Sequence, residues 1–467
     1  MVLCVFLQAC GQKDVEQGNA LVPDEPAENK PNILIYIADD LGYNEAGYNG
    51  NPAIETRNID RLAREGMHFK NAFVPASMCS PSRAALYTGL YPHRNGMSRN
   101  HASAKSNVRS FPHYLTDLGY RTVLVGKSHV KPFETFPFER LERTTDDVSG
   151  YLDSLAGDPF VMVIAAHHPH VPWLRNRGYE PERIPLPGNL LDTPETREAM
   201  ARYYTSVSAG DDELGDFLEL LEQKELTNNT VLVFLSDHGP QFPFAKFSNY
   251  DAGLRVPMII RWPGKIDGGT SSDRLVSTVD ILPTVIEFAG GTPPAELDGK
   301  SLLPAIDGEA FAGHEAVFGT HSTMGLNIKA VEPYGIRSVR TERYRYIRNL
   351  HPQNQPRSFI SEPRPFRGSL RYLMNYGVWV SPGLPAYWQS WLERAKTEPK
   401  AAKTVNRYLH RPEAELYDLE NDPEELNNLA ALPELRELVD EMNRMLVCWM
   451  HQQGDPEIDQ IPGALDM

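Results

Sequence analysis

The stretch SMCSPSRAALYTG places Cys79, one of only four cysteines, directly ahead of Ser80-Pro81-Ser82-Arg83. Pro81 suits a first helical turn, Ser80 suits an N-cap, and Ala84-Ala85-Leu86 favour helix. The cysteine is therefore expected at a helix start. The free N–H groups and partial positive charge of such an end suit a tetrahedral anion. Arg83 adds a fixed guanidinium nearby. A thiol in that setting reads as a low-pKa nucleophile. Cys448, in the apolar run RMLVCWMH, reads instead as a core residue.

Four other segments carry ionisable residues at one recurring place, the end of an apolar run. NILIYIADD stops at Asp39 and Asp40, and RTVLVGKSH at Lys127 and His129. FVMVIAAHHPH stops at His167, His168 and His170, and TVLVFLSDHG at Asp237 and His238. Continuous Val/Ile/Leu runs are the habit of strands buried on both faces of a parallel sheet. Amphipathic stretches at 55–66, 108–119 and 195–223 lie between them, so strands alternate with helices in an α/β arrangement. Open α/β sheets bind ligands beyond the carboxyl ends of their strands. The four endings should therefore meet in one place.

The bulk numbers narrow the class. A chain of 467 residues has room for a large α/β domain and a smaller partner. A net charge of −16 excludes a general nucleic-acid binder, and an anionic substrate would need cations gathered locally. The start, MVLCVFLQAC, is an apolar run ending in Leu7-Gln8-Ala9-Cys10, which reads as a bacterial lipoprotein signal remnant with Cys10 lipidated. Residues 11–30 are polar and Pro-punctuated, as a flexible tether would be. The expected organisation is tether 1–30, catalytic domain 31–320 and C-terminal subdomain 321–467. In the last, YGIRSVRTERYRYIRNL should form a hairpin and 433–452 an amphipathic helix. The expected location is periplasmic or cell-surface, with membrane contact only through the anchor at Cys10.

Cys79-x-Pro81-x-Arg83, followed by Thr88-Gly89, resembles the signature of the type I sulfatases of the alkaline phosphatase superfamily. PNILIYIADDLGYNEAGYNGN is similar to that family's first strand and metal loop. GKSHV, HHPHVP, SDHGP, AKFSNYDAGLRVPMIIRWPG, STVDILPT and LDGKSLLP follow in the family's order. ELYDLENDPEELNNLA resembles its C-terminal subdomain. The resemblance implies a large, mainly parallel or mixed sheet flanked by helices on both faces. A smaller α+β subdomain with an antiparallel sheet would follow.

It also implies chemistry. A formylglycine-generating enzyme or equivalent maturase would oxidise Cys79 to formylglycine. The hydrated aldehyde has two hydroxyls, one to attack sulfur and one, once deprotonated, to expel sulfate by C–O cleavage. Asp39, Asp40, Asp237, His238 and the modified Cys79 would hold Ca²⁺, with Mg²⁺ as the alternative. The family often has Asn where His238 stands. Arg83 and Lys127 would orient the diol, and His129 would be its base. His170 and Lys246 would contact the sulfate, one of them protonating the leaving group.

The substrate implied is a sulfated carbohydrate, a carrageenan-type galactan or a glycosaminoglycan, with local likeness to heparan N-sulfatase and iduronate-2-sulfatase. N-sulfate stays open beside sulfate ester. Specificity is expected from His167, His168 and His321 and from the segment 351–400. There Arg357, Arg364, Arg367 and Arg371 stand among aromatic residues, a composition that suits either sulfated sugars or a plain surface loop. Two alternatives remain at this stage. One is a phosphodiesterase or phosphonate monoester hydrolase of the same superfamily; the other is a non-catalytic lipoprotein that binds sulfated glycans.

Overall fold

The computed structural model describes residues 30–322, 332–361 and 385–464. Eight strands form the large sheet: β1 (Asn32–Ala38), β2 (Met67–Phe73), β3 (Arg121–Gly126), β4 (Glu139–Leu141), β5 (Phe160–Ala165), β6 (Thr230–Ser236), β7 (Met258–Arg261) and β8 (Thr270–Ser277). Their order is β4-β3-β5-β1-β6-β7-β2-β8. β7 alone runs against both of its neighbours, so the sheet is mixed with a parallel core. Every residue of β1, β5 and β6 is buried, which is why their sequences are continuous apolar runs and do not alternate.

Alternate residues of β1 feed two separate cores. Leu34, Tyr36 and Ala38 pack with the helices Arg57–Glu65, Thr145–Ser154 and Pro194–Gln223. Ile33, Ile35 and Ile37 pack on the other face with Cys79–Thr88, Phe111–Asp117 and Ile281–Phe288. The strands β3, β5, β1 and β6 are adjacent and parallel. Their carboxyl ends therefore share one edge, as the sequence pattern requires.

A second sheet is antiparallel throughout, ordered β12 (Ala414–Asp418), β11 (Tyr344–Asn349), β10 (Ile336–Arg340) and β9 (Val317–His321). β10 and β11 are the expected hairpin. β9 begins a few residues ahead of the boundary expected at 321. The helix Arg436–Gln453 covers this sheet with Met442, Leu446 and Trp449. Cys448 corrects the sequence reading: it is exposed, because it falls between buried positions on the solvent side of that helix.

The described end of the segment 351–400 is helical: it forms the helix Ala386–Ala395, followed by Pro399–Leu409. Tyr387, Trp388 and Trp391 make one buried stripe, and the Trp391 indole N–H donates to Thr196 Oγ1 at 2.8 Å. Arg364, Arg367 and Arg371 lie outside the described residues. Among the described residues no helix is long and apolar enough to cross a membrane.

Candidate active site

The ends of β1 and β6 are pinned to each other before any side chain acts. The Asp237 N–H donates to the Ala38 carbonyl at 3.0 Å, and the Asp40 N–H donates to Asp237 Oδ1 at 3.1 Å. The Asp39 N–H donates to the His168 carbonyl at 3.0 Å, tying in the segment that follows β5. Asp40 has a left-handed backbone, φ 73°, which aspartate tolerates better than most residues. Tyr203, from the long helix Pro194–Gln223, donates to the Asp40 carbonyl at 3.0 Å and closes the turn.

The helix Cys79–Thr88 presents Cys79 to this edge at its first position. Ser80 is thus inside the first turn and is not its N-cap; Met78 takes that place without a side-chain cap. The Ser80 N–H is satisfied by Asn100 Oδ1 at 3.1 Å. Cys79 Sγ lies 3.3 Å from His238 Nε2. His238 Nδ1 donates to the Gly239 carbonyl at 2.9 Å, which turns Nε2 toward the thiol and the carboxylates. That nitrogen is 3.4 Å from Asp40 Oδ1 and 3.8 Å from Asp237 Oδ1.

Three cations complete the cluster. Arg83 donates through Nε to Asp237 Oδ2 at 2.9 Å and through Nη2 to Asp39 Oδ1 at 3.4 Å. Lys127 Nζ reaches both oxygens of Asp39 at 2.7 Å. Lys246 Nζ reaches those of Asp40 at 2.8 and 2.7 Å. Asp39, Asp40, Asp237, His238 and Arg83 are all essentially inaccessible to solvent. The three carboxylates are thus balanced locally by three cations drawn from separate elements.

The residues present fit a hard divalent cation. Ligand atoms of Asp40, Cys79 and His238, and of Asp39, Cys79 and Asp237, lie within 4.8 Å of one another in each set. The three carboxylates supply the oxygen donors that suit Ca²⁺ or Mg²⁺, and His238 adds one imidazole nitrogen. The electrostatics point the same way. Burial would lower the His238 pKa, yet Asp237, the Cys79 thiolate and Asp40 together push it up to about 9. Burial raises Asp237 to about 6 despite His238 and Arg83. At Asp39 burial is outweighed by Lys127, His170 and Arg83, which hold it well below the usual carboxylate range. Burial would also raise the Cys79 thiol, but Lys127, Lys246 and His238 outweigh it and hold it well below its usual range.

The other histidines singled out from the sequence stand at different distances from this cluster. His129, half-buried with φ 56°, has no partner for its buried Nδ1. Its ring meets that of His101 edge-on at 4.9 Å. His101 is exposed at the rim, and its N–H donates to Ser80 Oγ at 3.3 Å. Nothing in RNHASAK distinguishes it from a loop histidine, so sequence reasoning missed it. His170 Nδ1 donates to the Val171 carbonyl at 2.6 Å, and burial lowers its pKa. His168 packs beside Gly210 of the long helix, where an added Cβ would stand 3.1 Å from its own Cβ. His167 is half-buried, and burial, then Arg143, lowers its pKa to about 4. His321 is fully buried at the end of β9, its ring 6.4 Å from that of Phe247, the residue after Lys246. Arg357 is half-buried in the small-sheet region.

The sulfatase family profile matches residues 31–140 and 141–291, and a profile described as N-sulphoglucosamine sulphohydrolase, C-terminal, matches residues 239–357. An ulvan-active sulfatase of Formosa agariphila is 32% identical over 91% of this chain and 81% of that protein. The chain belongs to the sulfatase family. Human N-sulphoglucosamine sulphohydrolase is 29% identical over 93% of both chains. A phosphonate monoester hydrolase of Agrobacterium radiobacter has the same fold, with TM-score 0.65 and 18% identity over 91% of this chain and 96% of that one. Fold alone therefore leaves two reactions open. The family profile and the full-length relatives identify this enzyme as a sulfatase.

Proposed function

We propose that this sulfatase hydrolyses sulfate esters on a sulfated polysaccharide or its oligosaccharides, using a formylglycine made from Cys79 and a bound Ca²⁺ or Mg²⁺. The observation that carries the reading is the buried cluster of Asp39, Asp40, Asp237 and His238 around Cys79 Sγ, braced by Arg83, Lys127 and Lys246. Relatives that act on ulvan and on N-sulphoglucosamine support a glycan as the carrier of the sulfate.

Charge balance explains why these residue types stand together. Three carboxylates face three permanent cations, so the protein's own charges nearly cancel when His238 is neutral. A divalent cation leaves a surplus of two, enough for the single charge of a sulfate ester and one deprotonated hydroxyl. When present, the formylglycine diol supplies the attacking and releasing hydroxyls, and the cation polarises the sulfate oxygens. Asp39, Asp40, Asp237 and His238 would hold that cation. Arg83 keeps two of the carboxylates in place. Lys127 and Lys246 are near enough to turn from Asp39 and Asp40 toward an incoming anion. His129 would take the proton from the second hydroxyl. His170 or Lys246 gives one to the leaving sugar oxygen.

The match of residues 239–357 to the sulphohydrolase C-terminal profile favours a second reading, in which the bond cleaved is an N-sulfate. Sulfate release from oligosaccharides bearing one O-sulfate or one N-sulfate, beside an aryl phosphate diester, separates these. Release from the O-sulfated glycan supports the proposal, and release from the N-sulfated one alone supports the second reading. Faster turnover of the phosphate diester overturns it. The proposal includes a lipid on Cys10, and Cys10→Ala should release the enzyme from membranes of its host.

A further inference from the structure

Away from the catalytic cluster, Arg411, His321, Tyr334 and Ser322 carry buried polar groups that have no hydrogen-bond partner. Arg411 is 3% exposed, and its Nε and Nη1 have no hydrogen-bond partner. His321 is 0% exposed, and both of its ring nitrogens are unpartnered. The buried hydroxyls of Tyr334 and Ser322 are likewise unsatisfied. Buried polar groups in folded proteins are almost always paired, and these four are among the described side chains that are not.

Their chemistry is one-sided. A guanidinium only donates, and a tyrosine hydroxyl donates readily. A neutral imidazole donates through one nitrogen. Burial, then Arg411 and Arg337, holds the His321 pKa down to about 3, so its ring is neutral and Arg411 supplies the positive charge. The sheet register brings Arg411, His321 and Tyr334 to one end: Ile336 of β10 pairs with His321 of β9 and with Asn349 of β11, and Ala414 of β12 pairs with Arg348, so Tyr334 and Arg411 lie just outside the strands at that same end. The guanidinium carbon sits 5.1 Å from the ring centroid of Tyr250 and 5.7 Å from that of Tyr408, so aromatic faces hold it without using its N–H groups. Glu415 accepts from Tyr250, Tyr417 and Asn349, and no bond to Arg411 forms.

The location ties this group to the proposed sulfate site. Phe247 touches both: Lys246 Nζ is 5.6 Å from its ring centroid, and the centroid of the His321 ring is 6.4 Å from it. The Phe247 N–H donates to the Ser77 carbonyl at 3.2 Å, so the same residue anchors the approach to Cys79.

We propose that Arg411, His321 and Tyr334 form a second anion subsite, one aromatic ring from the sulfate-binding lysine, which takes another negatively charged group of the substrate glycan. The inference rests on the sulfated-glycan reading above. The shared ligand chemistry is a compact oxyanion, either a uronate carboxylate or a second sulfate.

The test is binding to full-length protein carrying Cys79→Ser, which cannot turn substrate over. Three probes are compared by calorimetry: a neutral disaccharide with one sulfate, one with a sulfate and a uronate, and one with two sulfates. The expected result is at least tenfold tighter binding of one doubly charged probe, and which one wins names the anion. Arg411→Gln should remove that advantage and leave the singly charged probe unchanged. Arg411→Lys should keep part of it, and Tyr334→Phe, which preserves shape, should cost about threefold. Equal affinity for all three probes overturns the subsite, as does equal weakening of all three by Arg411→Gln with a lowered Tm. Failure of the sulfatase reading looks different: the Cys79-bearing enzyme would then release no sulfate from any probe, while the binding comparison still decides the subsite.

Discussion

Lys246 is bonded to both oxygens of Asp40, and Asp40 faces His238 across 3.4 Å. Asp40→Asn keeps the shape and removes the charge that holds both. This variant should lose its bound Ca²⁺ or Mg²⁺, read by elemental analysis, and its kcat/KM should fall at least a hundredfold. Full metal content with unchanged turnover would remove Asp40 from the site. His129→Asn should retain metal and lower kcat by about 10²–10⁴-fold, the usual worth of a proton-transfer residue. At this scale the sequence was informative where chemistry coincides with a strand end. Asp39, Asp40, Lys127, Asp237 and His238 were legible because each terminates an apolar run. His101 and Arg411 were not, since the first sits in a polar loop and the second in LHRPEAELYD, where nothing marks it as buried.

The elements that aim those residues leave little slack. An added Cβ at Gly239 would stand 1.9 Å from the Ala252 carbonyl oxygen and 3.1 Å from Gly253 Cα, and both are backbone atoms. Gly239→Ala must therefore move the turn whose carbonyl fixes the His238 tautomer. We expect it to lower Tm and reduce metal affinity together; a stable variant with normal metal content would contradict this. Trp391→Ala should cost about 3–5 kcal/mol, the usual range for truncating a buried aromatic, measured by denaturant unfolding. The strands and long helices were readable from period and composition. The helix Ala386–Ala395 was not, because Pro-rich flanking sequence hides a stripe of Tyr387, Trp388 and Trp391 that only tertiary packing reveals.

The whole molecule carries several histidines that folding keeps neutral. Burial, as the first cause in each case, lowers the pKa of His93 to about 4, of His168 to about 4 and of His321 to about 3. Each folded value lies below the unfolded one near 6.5. The unfolded chain therefore binds more protons, and stability falls as pH drops from about 6.5 toward about 4. Each histidine contributes a slope of at most about 1.4 kcal/mol per pH unit in that window. Glu45 and Asp211, which burial raises to about 7 and about 6, act in the opposite sense in this window, so the histidines are read by difference: the Tm of His93→Asn should gain on that of the parent as pH drops, and parallel profiles would contradict the assignment.

The central claim is that sulfate hydrolysis depends on an oxidised side chain at position 79 acting with a divalent cation. It is tested most directly on enzyme prepared with and without a co-produced maturase. The peptide containing Cys79 is quantified by mass spectrometry beside sulfate release from a sulfated oligosaccharide. We expect release to scale with the aldehyde fraction, to vanish on chelation and to return with Ca²⁺ or Mg²⁺. Equal release from preparations in which Cys79 remains a thiol would contradict the account.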